Sequence, residues 1–150
     1  MAWTPSDADA SEDEKKLQAE KAAYDPDFAA FMSTYGGVDP ATATARNYLD
    51  AMATETGKTG PEGPLTLLDE FIAGTDPTDP DDRLYATIAI EDGIVNVGWV
   101  PDLNAEGKVR RLYRVYGKRT LSDDWSASPL SDAEINGGIY RFFRVIVSMP

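Results

Sequence analysis

The sequence predicts an α+β fold, with an N-terminal helical subdomain of three to four short helices packed on a C-terminal antiparallel β-sheet or small fibronectin-like β-sandwich. Three observations carry this reading. Apolar residues recur at helical spacing as far as Ile72 and at period two from Leu84 onward. Charge divides at the same place: residues 1–82 hold five Lys and Arg against eighteen Asp and Glu, and residues 83–150 hold nine against eight. Between the halves, the stretch LTLLDEFIAGTDPTDPDD (residues 65–82) contains a glycine and two Asp-Pro pairs, and the residue before a proline is pushed out of helical backbone. The expected organisation is a flexible lead-in at 1–10, a helical subdomain at 11–82 and an antiparallel β-domain at 83–150.

Each helix has a start signal. Ser11 and Glu14 form an S-x-x-E capping box, which predicts a helix from Glu12 to about Ala23 with a thin apolar stripe of Leu17 and Tyr24. Asp25-Pro26 reads as an N-cap followed by proline at the first helical position, with Phe28, Phe31, Met32 and Tyr35 on one face and Gly36-Gly37 as the stop. Asp39-Pro40 repeats the signal, so Ala41, Ala45, Tyr48, Leu49 and Met52 should share a face to about Thr56, before Gly57. Pro64 opens the last, with Leu65, Leu68, Phe71 and Ile72 at helical spacing and Gly74 as a left-handed cap.

The strands follow. Leu84, Ala86, Ile88 and Ile90 alternate, Asp92-Gly93 is a hairpin turn, and Val95, Val97 and Trp99 share a face of the segment 94–100. A third strand is expected from about Val109 to Gly117 and a fourth from about Tyr140 to Met149, with Trp99, Tyr113, Trp125 and Phe143 as aromatic anchors. The connection between them is too long for a tight turn and should hold Trp125 and a short helix near Ser131 to Ile135.

Composition removes several kinds of chemistry. With no cysteine and no histidine, the chain builds no disulfide, no thiolate or Ser-His-Asp centre and no cysteine-based zinc site. Paired carboxylates remain, which keeps a small carboxylate-dependent hydrolase as a third reading. No run of eighteen apolar residues occurs, so membrane insertion is not expected. A net charge of −12 repels phosphate, which makes nucleic acid a poor partner. The opening residues lack the pattern of a signal peptide.

Three sets of side chains are candidate sites. Asp76, Asp79, Asp81 and Asp82 offer carboxylate oxygens for a Ca2+ ion, against the ordinary reading as turn and capping carboxylates. An EF-type loop ending at Glu70 would instead place Thr59, Pro61, Gly63 and Leu67 at ligand positions, and most cannot serve. Arg110, Arg111 and Arg114 could contact an anion or a partner, or dock the second half on the acidic first half. Trp99, Tyr116 and Trp125 could form a ligand-binding surface for sugar rings, against the alternative that they are core.

The segment Glu70–Pro80, EFIAGTDPTDP, resembles the E-[FY]-x-A-G-T-D-P-T-D-P junction of secreted and cell-surface proteins of Verrucomicrobia, Lentisphaerae and their relatives. There a degenerate thrombospondin-type-3 or dockerin-like helix leads into a small C-terminal β-module. The similarity continues through VGWVPDL (97–103), YRVYGK (113–118), LSDDW (121–125) and RFFRVIVSMP (141–150), and covers residues 24–150. It implies a non-catalytic C-terminal accessory module of a larger exported bacterial protein, placed outside the cell or on its surface. Such a module would act in attachment, presentation or assembly, with other domains of the parent chain or surface proteins as partners. The alternative is a carbohydrate-binding module with a glycan partner.

Overall fold

In the computed structural model, which describes residues 21–61, 63–105 and 111–150, the elements run α1 (Phe28–Gly36), α2 (Ala45–Met52), β1 (Glu55–Gly60), β2 (Gly63–Thr66) and α3 (Leu67–Ala73). Then follow β3 (Tyr85–Glu91), β4 (Ile94–Val100), β5 (Leu112–Lys118), α4 (Asp132–Asn136) and β6 (Phe142–Ser148). The fold is α+β. The lead-in at 1–10 and most of the expected helix at 12–23 lie outside the described residues; residues 21–23 are helical.

The starts of α2, α3 and α4 are set by small hydroxyl side chains rather than by prolines. Thr44, Thr66 and Ser131 each accept a hydrogen bond from the backbone N–H three residues on, and the side-chain oxygens of Asn47, Asp69 and Glu134 accept one from the cap N–H. Each pair satisfies two donors that a helix start leaves open. Three expected starts are therefore corrected. Pro64 lies in β2, and α3 opens at Leu67. Asp39-Pro40 makes a turn, with the Ala41 N–H on the Asp39 carboxylate, and α2 waits for Thr44. α1 begins at Phe28 after Asp27, whose side chain makes no capping bond.

The wholly helical subdomain at 11–82 is corrected as well. α2 stops at Met52 instead of about Thr56, and the chain turns back as the β1–β2 hairpin, with Glu55 opposite Thr66 and Gly60 opposite Gly63. The segment ETGKTG explains it: glycines weaken a helix, and β-branched threonines favour a pleated strand. Gly57 takes a φ of +86° within the register irregularity between Glu55 and Thr59.

The core sits in the helical half. Phe28 and Met32 of α1, Tyr48 and Met52 of α2, and Leu67, Phe71 and Ile72 of α3 are buried together, with Phe28 edge-on to Phe71 at 5.5 Å and tilted against Tyr48 at 5.3 Å. Each fully buried side chain of this size contributes roughly 1.5–3 kcal/mol. Met149 joins the cluster from beyond β6, and Val147 packs against it. The two halves therefore share one core.

The strands of the second half form two separate antiparallel ribbons, β3–β4 and β5–β6, instead of one sheet. The first turns at Asp92-Gly93, both at positive φ (52° and 78°), as its sequence predicts. Beside β5 runs the connecting segment: Ser126 N–H bonds the Gly117 carbonyl at 2.9 Å and Leu130 N–H the Val115 carbonyl at 2.8 Å. That segment occupies an edge at which a further strand would pair. Stacking of Trp99 on Tyr113, at 4.8 Å and 20° between planes, ties β4 to β5. α4, with Ile135 buried, packs on β4.

Gly74, at the end of α3, is held at a φ of +78°, and a methyl group there would meet Leu103 Cδ2 at 2.7 Å. Gly37 caps α1 at a φ of +65° with open space around it. Gly74→Ala should cost about 2–4 kcal/mol, backbone strain plus overpacking, whereas Gly37→Ala should cost about 1–2 kcal/mol from strain alone. Urea denaturation of the two variants measures the difference.

Candidate functional site

Lys58 of β1 points inward, its side chain only 4% exposed. Its ammonium has three protons, and each has a partner: Glu70 Oε2 at 2.9 Å, the Asp76 carbonyl at 2.7 Å and the Asp82 carbonyl at 2.7 Å. Glu70, on the buried face of α3, also accepts the Thr75 hydroxyl on Oε2 at 2.7 Å. Its other oxygen, Oε1, is buried with no hydrogen-bond partner among the described residues. The carboxylate therefore depends on Lys58 and Thr75 for its compensation.

The loop 75–82 is wound around that ammonium. Asp82 Oδ2 accepts the Asp76 N–H at 2.7 Å, which ties the two ends of the loop together. Asp76 Oδ1 accepts both the N–H and the hydroxyl of Thr78, and Asp79 Oδ1 accepts the Asp81 N–H. Thr78 holds the Asp76 carboxyl below its ordinary 3.8, first through its hydroxyl and then through its backbone N–H. Arg83 closes the far side, with Nη1 on the Thr59 carbonyl at 2.9 Å and Nε on the Pro80 carbonyl at 3.0 Å.

This geometry redirects the expected ion site. Asp76, Asp79 and Asp82 each bond backbone of their own loop, and among the described residues no group of three or more acidic side chains is arranged to hold a metal ion. The positive charge at the loop's centre belongs to Lys58.

A second buried pair stands on the other side of α3. Arg111, just before β5, places Nη1 2.9 Å from Asp25 Oδ2, with both side chains 3% exposed or less. Its Nε donates to the Ile72 carbonyl at 3.0 Å and Nη2 to the Phe71 carbonyl at 3.3 Å, and its Cζ lies 5.1 Å from the centre of the Phe71 ring. Those carbonyls are at the C-terminal, partially negative end of α3, where a cation is favoured. Asp25 spends its other oxygen on the Asp27 N–H, so the residue read as a helix cap is one half of an ion pair. Arg111 thus joins the second half to α3 and to the segment before α1. Arg114 is half-buried, with Nη1 3.5 Å from Ser148 Oγ, and Arg110 lies outside the described residues.

Beside these pairs a cleft of about 320 Å³ opens, lined by Phe31, Tyr35, Asp76, Asp82 and Leu103 and floored by Arg111. The proposed aromatic surface is divided. Trp99 stacks on Tyr113, whereas Tyr116 and Trp125 gather around Arg144, with ring centres 5.5 Å and 4.9 Å from its Cζ. Tyr113 and Tyr116 are three residues apart on one strand and so face opposite ways. The three candidates do not share a platform.

Lys58 and the pairing role of Glu70 were not among the sequence candidates, although a signal existed. Glu70 falls at helical spacing with Leu67 and Phe71, on the apolar face, where a carboxylate needs a partner. Lys58 is one of only five basic residues before Arg83. Comparison of the chain with family models, with curated proteins and with solved structures returns no significant match in any of the three.

Thr78→Val should raise the Asp76 pKa toward 3.8, as read by NMR titration of the carboxyl carbon. Because the folded-state value is depressed, this carboxylate's stabilisation is present above the unfolded value and is lost as pH falls through the lower folded value. Arg111→Met should destabilise by about 3–5 kcal/mol in urea denaturation, because it leaves Asp25 buried without its cation.

Proposed function

We propose that the chain is a non-catalytic accessory module of a larger exported bacterial protein, working in attachment, presentation or assembly through protein contacts. The exported, cell-surface setting rests on the resemblance of the Glu70–Pro80 junction. The protein-contact reading rests on the β3–β4 ribbon. Its register puts Ile88 opposite Val97 and Ile90 opposite Val95, so one face is apolar throughout, yet Ile88 is 54% and Ile90 70% exposed.

On the same face Val95, Val97 and Trp99 are half-buried, so the uncovered apolar surface lies along β3, and apolar surface of this kind on a two-stranded ribbon marks a contact site. β4, IVNVGWV, carries no charge and no proline to discourage pairing. A second copy offers a strand of the same length with the same apolar face, and two-fold pairing would close both surfaces at once. The contact is therefore homotypic, ribbon against ribbon.

Sedimentation equilibrium of the wild-type chain from micromolar to millimolar concentration should show association. Ile88→Thr/Ile90→Thr keeps β-branched side chains on the strand, and should abolish the association while changing stability by about 0.5 kcal/mol or less. A wild-type chain that stays monomeric throughout, or association that the double variant leaves intact, would overturn the proposal.

A further inference from the structure

The β5–β6 ribbon carries a second surface of different chemistry. Its register sets Arg114 opposite Ile146, Tyr116 opposite Arg144 and Lys118 opposite Phe142. Arg114, Arg144 and Lys118 therefore share one face. Arg114 and Lys118 are about 13 Å apart along the strand, with Arg144 across from the residue midway between them. Arg119 and Arg141, both exposed, extend the row at the end where Arg141 N–H bonds the Lys118 carbonyl.

Aromatic rings lie under these cations. Lys118 Nζ is 4.6 Å and Arg144 Cζ 4.9 Å from the centre of the Trp125 ring; Arg144 is also 5.5 Å from Tyr116, and Arg119 6.0 Å from Tyr140. A cation seated on a ring is oriented without losing its charge, and the exposed Arg119 guanidinium in that pose keeps in-plane N–H donors for carboxylate or sulfate oxygens. Two positive centres within 5 Å of one ring centre lie no farther apart than the screening length of about 10 Å in 0.1 M salt. Like charges that close repel each other, and an anion seated between them relieves the repulsion. Lys118, Arg119 and Arg141 form no ion pair among the described residues.

Fastening the 119–141 connection to the ribbon does not require this arrangement, because backbone bonds from Ser126, Leu130 and Arg141 already do so. An extended row also fits a chain better than a point anion. The net charge of −12 disfavours nucleic acid, with one charge per about 1.7 Å of duplex. A polysaccharide with one acidic group per sugar spaces its charges more widely than a duplex does, closer to the spacing of this row.

We propose that this face binds a linear acidic polysaccharide, its carboxylate or sulfate groups taken by Arg114, Arg144, Lys118 and Arg119. The assignment is independent of the β3–β4 contact surface.

Affinity electrophoresis of the chain through gels containing polygalacturonate, dextran sulfate or neutral dextran tests it. Retardation by one or both acidic polymers, weakened by salt and absent in neutral dextran, is the expected result; the two acidic gels separate carboxylate from sulfate preference. Lys118→Gln/Arg144→Gln should weaken it by about tenfold or more, as charge-assisted hydrogen bonds are lost. Arg46→Gln, removing an exposed cation on α2, should change nothing. If circular dichroism shows that the first variant has lost its fold, Arg119→Gln/Arg141→Gln decides, and should weaken retardation severalfold. No retardation by either acidic polymer, retardation unchanged in a folded ribbon variant, or stronger binding to polyglutamate or single-stranded DNA would overturn the proposal.

Discussion

An ammonium group held by three oxygens inside a loop is the constraint on which the rest of this structure depends. Lys58 reaches from β1 to a carboxylate of α3 and to two carbonyls of the 75–82 loop. A charge placed there alone would be very costly to bury. With all three protons accepted and a carboxylate as one acceptor, the cost is offset, and the geometry becomes demanding. The hairpin, the helix and the loop must each be in place for the ammonium to be satisfied.

α3 is held by cations from two directions. Lys58 takes it through Glu70, one turn before its end, and Arg111 takes its last carbonyls while pairing with Asp25. Gly74 then lets Leu103 close over the helix end. Because Arg111 belongs to the second half and Asp25 precedes α1, this one guanidinium spans most of the chain. The charge imbalance between the halves is thus used locally, with an acidic half receiving cations at a few buried points. The cations left over line the face of β5–β6, and the apolar surface left over is the face of β3–β4.

Much of the fold was legible in the sequence where one local rule acted without competition. Asp92-Gly93 made its hairpin, Gly74 and Gly37 ended their helices in left-handed backbone, and the alternation of β3 and β4 gave the right register face. Where two signals competed, the sequence misled. Pro64 and Asp39-Pro40 look like helix starts, but a proline only tolerates that position, whereas Thr66 and Thr44 supply the missing acceptors. The β1–β2 hairpin was hidden because ETGKTG has neither a long apolar run nor clean alternation; its one inward residue is a lysine. The aspartates of the loop read as ion ligands because their oxygens are ligand-like. Their actual partners are N–H groups two to six residues away, which composition does not reveal.

The most direct test is a double-mutant cycle at Lys58 and Glu70, followed by urea denaturation. Lys58→Met and Glu70→Met should each cost about 3–5 kcal/mol by stranding the other charge, and the combined variant should recover most of that loss. Single variants that cost less than about 1 kcal/mol each, and that simply add in the pair, would contradict the account of a loop built around a buried ammonium.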